Sequence, residues 1–226
     1  MVGNILITGG ASGLGKATAD AVAKAGGRPL VIDVGVPEDG VDHVVADVAD
    51  RDRVQAAVTE LAERVGGLDG VVTAAGIDRC GSLAQVSPAE WERVIGVNLL
   101  GTASVVRAAL PYLERSAGRV VTCASTLGLR AVGDATAYCA AKFGVVGFTR
   151  ALAAELAGRV GVTLLVPGGM RTRFFDGRDE RYRPGPDARL NQPEDVAAAV
   201  VFALGQPPGC ELRELVVCPS TEPSWP

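Results

Sequence analysis

Seven short runs rich in valine, isoleucine and leucine punctuate this chain, and longer stretches with helical spacing lie between them. The runs fall at residues 5–8, 29–32, 41–46, 70–73, 119–123, 160–166 and 212–217. The helix-like stretches cover 14–25, 52–65, 88–113, 137–157 and 193–204. A strand with one wet face alternates apolar and polar residues, whereas a nearly unbroken apolar strand is covered on both faces. Strands of the second kind, alternating with helices, predict a parallel sheet with right-handed crossovers. The expected fold is an α/β, single-domain, doubly wound parallel sheet of about seven strands with helices on both faces, spanning residues 1–226. Local punctuation agrees: Ser87-Pro88-Ala89-Glu90 offers a capping box with proline at the first helical position.

Composition removes several alternatives. A chain of 226 residues buries roughly 70% of its unfolded surface, so it needs no disulfides or metals for stability. The net charge is −4 with both signs interspersed, which leaves no basic footprint for nucleic acid. The five cysteines are odd in number and scattered without a CxxC pair, and His43 is the only histidine. Neither a disulfide framework nor a metal site is expected. No apolar stretch approaches twenty unbroken residues, and the start of the chain shows no export signal. The expectation is a cytoplasmic protein without a membrane partner. Residues 171–192 are polar, aperiodic and proline-containing, which reads either as a substrate lid or as disorder. The tail at 219–226, with Trp225, either packs on a neighbour, covers a cleft, or is disordered.

Three local patterns carry chemistry. The first, Thr8-Gly9-Gly10-Ala11-Ser12-Gly13-Leu14-Gly15, leaves a strand and opens a helix. Glycines there make a tight turn and let the backbone approach a pyrophosphate, while the helix N-terminus adds N–H groups and a favourable dipole. The second is Asp33, at the end of the second run. Its carboxylate either accepts ribose hydroxyls, and then repels a 2′-phosphate, or simply forms a turn before Gly35. Val34 follows where a phosphate would favour Arg or Lys, so NAD is preferred; Lys16, beside the turn, is the competing signal for NADP. The third is Tyr138-x3-Lys142, one helical turn apart, with Ser125 upstream. A cation beside a phenol stabilises the phenolate, and a hydroxyl can hold the oxygen that gains or loses the proton. Alone, the same spacing is an amphipathic helix with one tyrosine and one solvated lysine.

Taken together, these pieces resemble the short-chain dehydrogenase/reductase family, whose fold is the Rossmann type. Besides the glycine turn, Asp47-Val48 matches its adenine-contacting dipeptide, and Asn98 in Val97-Asn98-Leu99-Leu100-Gly101 matches its proton-relay asparagine. Pro167-Gly168-Gly169-Met170-Arg171-Thr172 matches its P-G-x3-T segment near the nicotinamide. The resemblance implies that Tyr138 exchanges a proton with the substrate oxygen as hydride moves. It implies that Lys142 lowers the Tyr138 pKa and holds the ribose, that Ser125 positions the substrate oxygen, and that Asn98 anchors a water linking Lys142 to solvent. Cofactor contacts are implied for Gly9, Ser12, Gly13, Leu14, Gly15, Asp33, Asp47, Val48, Ala75, Gly76, Tyr138, Lys142, Pro167, Gly168, Met170 and Thr172, with no metal. Departures are Thr73-Ala74-Ala75-Gly76 in place of Asn-Asn-Ala-Gly, a short segment after Thr172, and an ending without D-G-G.

The implied activity is NAD(H)-dependent interconversion of a secondary alcohol and a ketone, in a homodimer or homotetramer. The alternatives are a retired NAD(H)-binding sensor or interaction protein, and an isomerase or dehydratase on the same scaffold. The segment 127–132 with Met170, Phe174, Phe175 and Tyr182 can line an apolar substrate pocket. Six arginines against four acids in 171–189 can instead greet an anionic substrate, or merely balance a solvated lid.

Overall fold

The computed structural model describes residues 2–37 and 40–222. The part of the predicted tail at 223–226, including Trp225, lies outside the described residues. Seven strands, β1 (Asn4–Thr8), β2 (Arg28–Asp33), β3 (Asp42–Val45), β4 (Gly70–Thr73), β5 (Arg119–Cys123), β6 (Gly161–Pro167) and β7 (Glu214–Val217), form one sheet in the order β3-β2-β1-β4-β5-β6-β7. Every pairing is parallel. The helices are α1 (Gly13–Lys24), α2 (Arg51–Val65), α3 (Pro88–Ile95), α4 (Thr102–Ser116), α5 (Thr136–Glu155) and α6 (Pro193–Leu204).

The strand pattern explains the two layers. In β1, Leu6 faces one core with Val58 and Leu61 of α2 and Val105 and Leu113 of α4. Its neighbours Ile5 and Ile7 face the other, with Val22 of α1 and Val196 and Val200 of α6. Strict alternation of side-chain direction along a strand makes both faces apolar, hence the unbroken runs. Chain order reverses between β1 and β4, and the carboxyl ends of the strands there leave the crevice in which such sheets bind ligands.

One predicted helix is interrupted. The stretch expected at 88–113 contains a π turn, Gly96–Gly101, between α3 and α4. Single π turns inside helices concentrate at functional positions, because the wider turn redirects one side chain. Here Asn98 sits in it, fully buried, and its amide donates to the carbonyls of Ile77 and Val94 at 2.8 Å each. The span Pro88–Ser116 is also long and apolar enough to cross a membrane, with mean hydropathy 1.5. Half of that apolar window is buried inside the fold, the pattern of a core helix lying on a sheet.

Candidate active site

The carboxyl ends of β1, β2, β4, β5 and β6 enclose a cleft of about 1230 Å³. Every residue expected to touch the cofactor lines it, from Gly9 and Asp33 to Met170 and Thr172, together with Ser125. Asn98 stands behind the wall rather than in it.

The glycine turn is shaped for an anion. Gly9 has φ +73°, and a Cβ there would lie 2.8 Å from the Ala75 backbone, so the turn packs directly on the chain leaving β4. Ser12 occupies the N-cap of α1 with extended backbone, yet its hydroxyl makes no cap hydrogen bond and the first turn carries no acid. The leading N–H groups of a helix demand an acceptor, and a pyrophosphate oxygen is one. Gly13 meets Thr172 across the floor of the cleft, where a Cβ would stand 3.5 Å from the threonine side chain. These features, a backbone cradle with an uncapped helix start, fit a dinucleotide.

Asp33 forms the turn before Gly35 and also braces the glycine turn. One carboxylate oxygen accepts from Ala11 N–H at 2.9 Å within the glycine turn, and the other from Gly35 N–H at 2.8 Å. Each oxygen retains acceptor capacity toward the cleft. Lys16, the signal for a 2′-phosphate, bonds Asp20 one turn further along α1 at 2.9 Å. Asp47 is tied to Arg93 of α3 at 2.5 Å and to Ala49 N–H at 2.9 Å. Burial pushes its carboxyl up, but those two hydrogen bonds outweigh it and hold the group below its ordinary range.

The chemistry sits at the start of α5. Thr122 of β5 and Thr149 of α5 share a buried hydrogen bond of 2.6 Å, which locks the helix onto the strand. Beyond β5, Ser125 is extended and begins a 3-10 turn, Thr126–Gly128. A Cβ on Gly128 would lie 2.8 Å from the Lys142 carbonyl oxygen, so only glycine lets this turn press onto α5. That approach brings Ser125 to Tyr138, with which it shares a side-chain hydrogen bond. The Ser125 oxygen accepts from Leu127 N–H at 3.1 Å, which leaves its O–H to point at the phenol.

Burial dominates the electrostatics of the tyrosine–lysine pair. The Lys142 ammonium donates to the Cys123 carbonyl at 2.8 Å and lies 5.6 Å from the Tyr138 ring centre. Burial pushes the Tyr138 phenol well above its ordinary value, and the Cys123 thiol adds to this against the Ser125 hydrogen bond. Burial likewise pushes the Lys142 ammonium down. Two N–H groups of Lys142 are left beyond the bond to Cys123. The Asn98 Oδ1 is buried without a hydrogen-bond partner among the described residues. A Cβ on Gly76 would stand 2.8 Å from it and 3.8 Å from Lys142 Nζ, so both atoms border the same spot beneath Gly76.

Residues 171–192 form a flap along the cleft. They contain two 3-10 turns, Arg173–Phe175 and Glu180–Tyr182, and a bridge from Met170 to Asn191. Leu127, Val132, Met170, Phe174 and Phe175 line the cleft as expected. Tyr182 does not, because its hydroxyl donates to Asp134 at 2.9 Å and fastens the flap to the neighbouring loop. The sequence reading missed Asp78, which pairs with Arg178 of the flap at 2.9 Å. Arg178 was counted there only as one of six arginines.

A doubly wound sheet with an anion-accepting glycine turn, and a serine–tyrosine pair above a buried lysine, defines a nicotinamide-dependent oxidoreductase. Residues 3–183 match the family model described as short chain dehydrogenase. The chain is 34% identical to a 3-oxoacyl-[acyl-carrier-protein] reductase of Thermotoga maritima, over 87% of this chain and 88% of that protein. It is 35% identical to a D-threitol dehydrogenase of Mycolicibacterium smegmatis, over 87% and 84%. Among solved structures, an alcohol dehydrogenase of the archaeon Thermococcus sibiricus complexed with 5-hydroxy-NADP superposes with a TM-score of 0.85 at 26% identity, covering 95% of each chain. The chain belongs to the short-chain dehydrogenase/reductase family of oxidoreductases.

Proposed function

We propose that the protein interconverts a secondary alcohol and a ketone with NAD(H), using Tyr138 as general acid and base. The observation that carries this reading is the Ser125–Tyr138 hydrogen bond on the wall of the cleft that also holds the glycine turn. Bound there, the nicotinamide supplies or accepts hydride. Tyr138 gives its proton to the ketone oxygen and takes it back in alcohol oxidation. Ser125 turns its O–H from the phenol to that same oxygen and holds it. Lys142, steered by the Cys123 carbonyl, offers its remaining N–H groups to a ribose, and Asn98 Oδ1 accepts from a water beside Lys142. A screen of NAD reduction against secondary alcohols tests the activity. NADH binding with no turnover of any alcohol would favour a sensor role instead.

NAD is preferred over NADP because Asp33 places a carboxylate on the cleft wall at the end of β2. A 2′-phosphate beside it costs roughly 1–2 kcal/mol even at high dielectric, so NADH should bind about tenfold tighter than NADPH. Asp33→Asn removes the charge yet keeps one acceptor oxygen for the glycine turn, and should narrow that gap in titrations of protein fluorescence. Equal affinities for the two cofactors in the unsubstituted protein would refute the assignment.

We place the protein in the cytoplasm, since all five cysteines are free thiols. We further propose that it works as one catalytic domain per subunit of a homodimer or homotetramer. Leu100 of the π turn and Phe143 of α5 are exposed on elements that pack together, and Phe202 is exposed on α6. Light scattering should return a mass of two or four chains, and a monomer at micromolar concentration would reject this.

A further inference from the structure

The mouth of the cleft holds an ion pair that the proposed chemistry does not use. Asp78 and Arg178 are 2.9 Å apart, with side chains only 5% and 15% exposed, and both line the cleft that contains Ser125 and Tyr138. The pair is contacted from several sides. The Arg178 guanidinium stacks 4.8 Å from the Phe174 ring centre and 4.7 Å from that of Phe175. Phe174 in turn lies 5.7 Å from the Tyr138 ring. Arg183 donates to the Arg178 carbonyl at 2.7 Å, and Cys80 donates its thiol to Asp78 at 3.2 Å. Both charges lie near enough to act, with opposite sign, on the Tyr138 phenol.

Burying two charges among aromatic rings is expensive, and an apolar contact would hold a flap at lower cost. What the pair offers instead is directional chemistry on the wall of the cleft that also holds Ser125 and Tyr138. A carboxylate accepts only and a guanidinium donates only, so side by side they match a hydroxyl, which does both. A carboxylate or phosphate on the substrate would meet Asp78, and an ammonium would meet Arg178. A methyl or methylene pressed there would strip water from both groups and return nothing.

We propose that Asp78 and Arg178 select an alcohol carrying a second, uncharged hydroxyl or carbonyl oxygen close to the reacting carbon: a diol, polyol or hydroxyketone. This rests on the alcohol–ketone activity proposed above and names its substrate class. Three of the six arginines of the flap are paired with acids. Arg178 is neutralised by Asp78, Arg173 lies 3.5 Å from Asp176, and Arg181 lies 3.9 Å from Asp179.

The test compares 2,3-butanediol with 2-butanol, and both with lactate and a 3-hydroxyacyl thioester, as NAD-reducing substrates. Hydrogen bonds to charged groups should favour the diol over the monoalcohol by at least about tenfold in kcat/KM. In Asp78→Asn the diol-to-monoalcohol ratio should fall by about tenfold, through KM for the diol. A pair that merely latches the flap would lower both substrates in proportion and leave the ratio as it was, which overturns the proposal. Preference for lactate or the thioester in the unsubstituted protein also overturns it, while the oxidoreductase reading stands. Turnover of none of these alcohols, with NADH still bound, overturns both. The substrate comparison in the unsubstituted protein decides the matter even if the variant fails to fold.

Discussion

Replacing Tyr138 with phenylalanine is expected to cut turnover by about 10²- to 10⁴-fold, the usual worth of a positioned acid or base, while NADH binding is retained. The ring packs against Val94, Ala137 and Phe174, contacts that phenylalanine keeps. The variant should therefore fold, and only the hydroxyl is lost. The elevated Tyr138 pKa also sets a pH dependence. With burial pushing the phenol up, it carries its proton throughout the neutral range. Ketone reduction needs that proton and should be flat in pH across this range. Alcohol oxidation needs the deprotonated form, so its rate should climb toward one log unit per pH unit up to and beyond pH 9, without a plateau. Retained turnover in the phenylalanine variant would assign the proton to another group, and oxidation that is level from neutral to alkaline pH would mean that the phenol is not held above its ordinary value in the complex. Steady-state kinetics in both directions would measure this.

The order of strands and helices was legible because burial on both faces leaves a plain trace, as in Ile5-Leu6-Ile7 and Val71-Val72, where neighbouring residues feed opposite cores. The cleft residues were legible for a related reason. Glycines such as Gly9 and Gly15 leave close-packed backbone with no other explanation, and Tyr138 and Lys142 share a helix face. What stayed hidden depends on distance in the chain or on one-residue geometry. The π turn around Asn98 leaves the apolar spacing of 88–113 intact, so no periodicity reports it. Asp78 and Arg178 are separated by two strands and three helices, and only the return of the flap over the cleft makes them a pair. The Arg93–Asp47 bond is of the same kind. Helical spacing puts Lys142 near the phenol, but it does not show that the atom receiving its ammonium, the Cys123 carbonyl, belongs to β5. The shift of the Tyr138 pKa is then decided by burial, which spacing alone does not reveal.

Gly15→Ala should do more damage than its single methyl suggests. A Cβ at that position would sit 2.1 Å from the Gly9 carbonyl oxygen, 2.5 Å from its carbon and 2.9 Å from the Gly10 nitrogen. All three are backbone atoms of the same turn, so no side chain can swing away and the turn itself must open. Opening it moves Gly9 off the Ala75 backbone and disturbs Ala11, whose N–H is held by Asp33. Overpacking of this kind costs about 1–3 kcal/mol, and the melting temperature should fall by several degrees, about 2–4 °C per kcal/mol for a chain of this size. Nucleotide binding should suffer more than stability, because the N–H groups at the start of α1 act only while the turn holds them in register. A loss of at least about 100-fold in NADH affinity corresponds to roughly 2.7 kcal/mol, about what the displaced backbone donors would supply together. Gly147→Ala is the matched comparison. That glycine lies inside α5 with nothing within 4 Å of a built Cβ, so alanine should raise the melting temperature slightly, by helix propensity alone. Fluorescence titration of NADH beside thermal melts of both variants separates the two effects. Tight NADH binding by Gly15→Ala would mean that the glycine turn is not the cofactor cradle, whatever its stability.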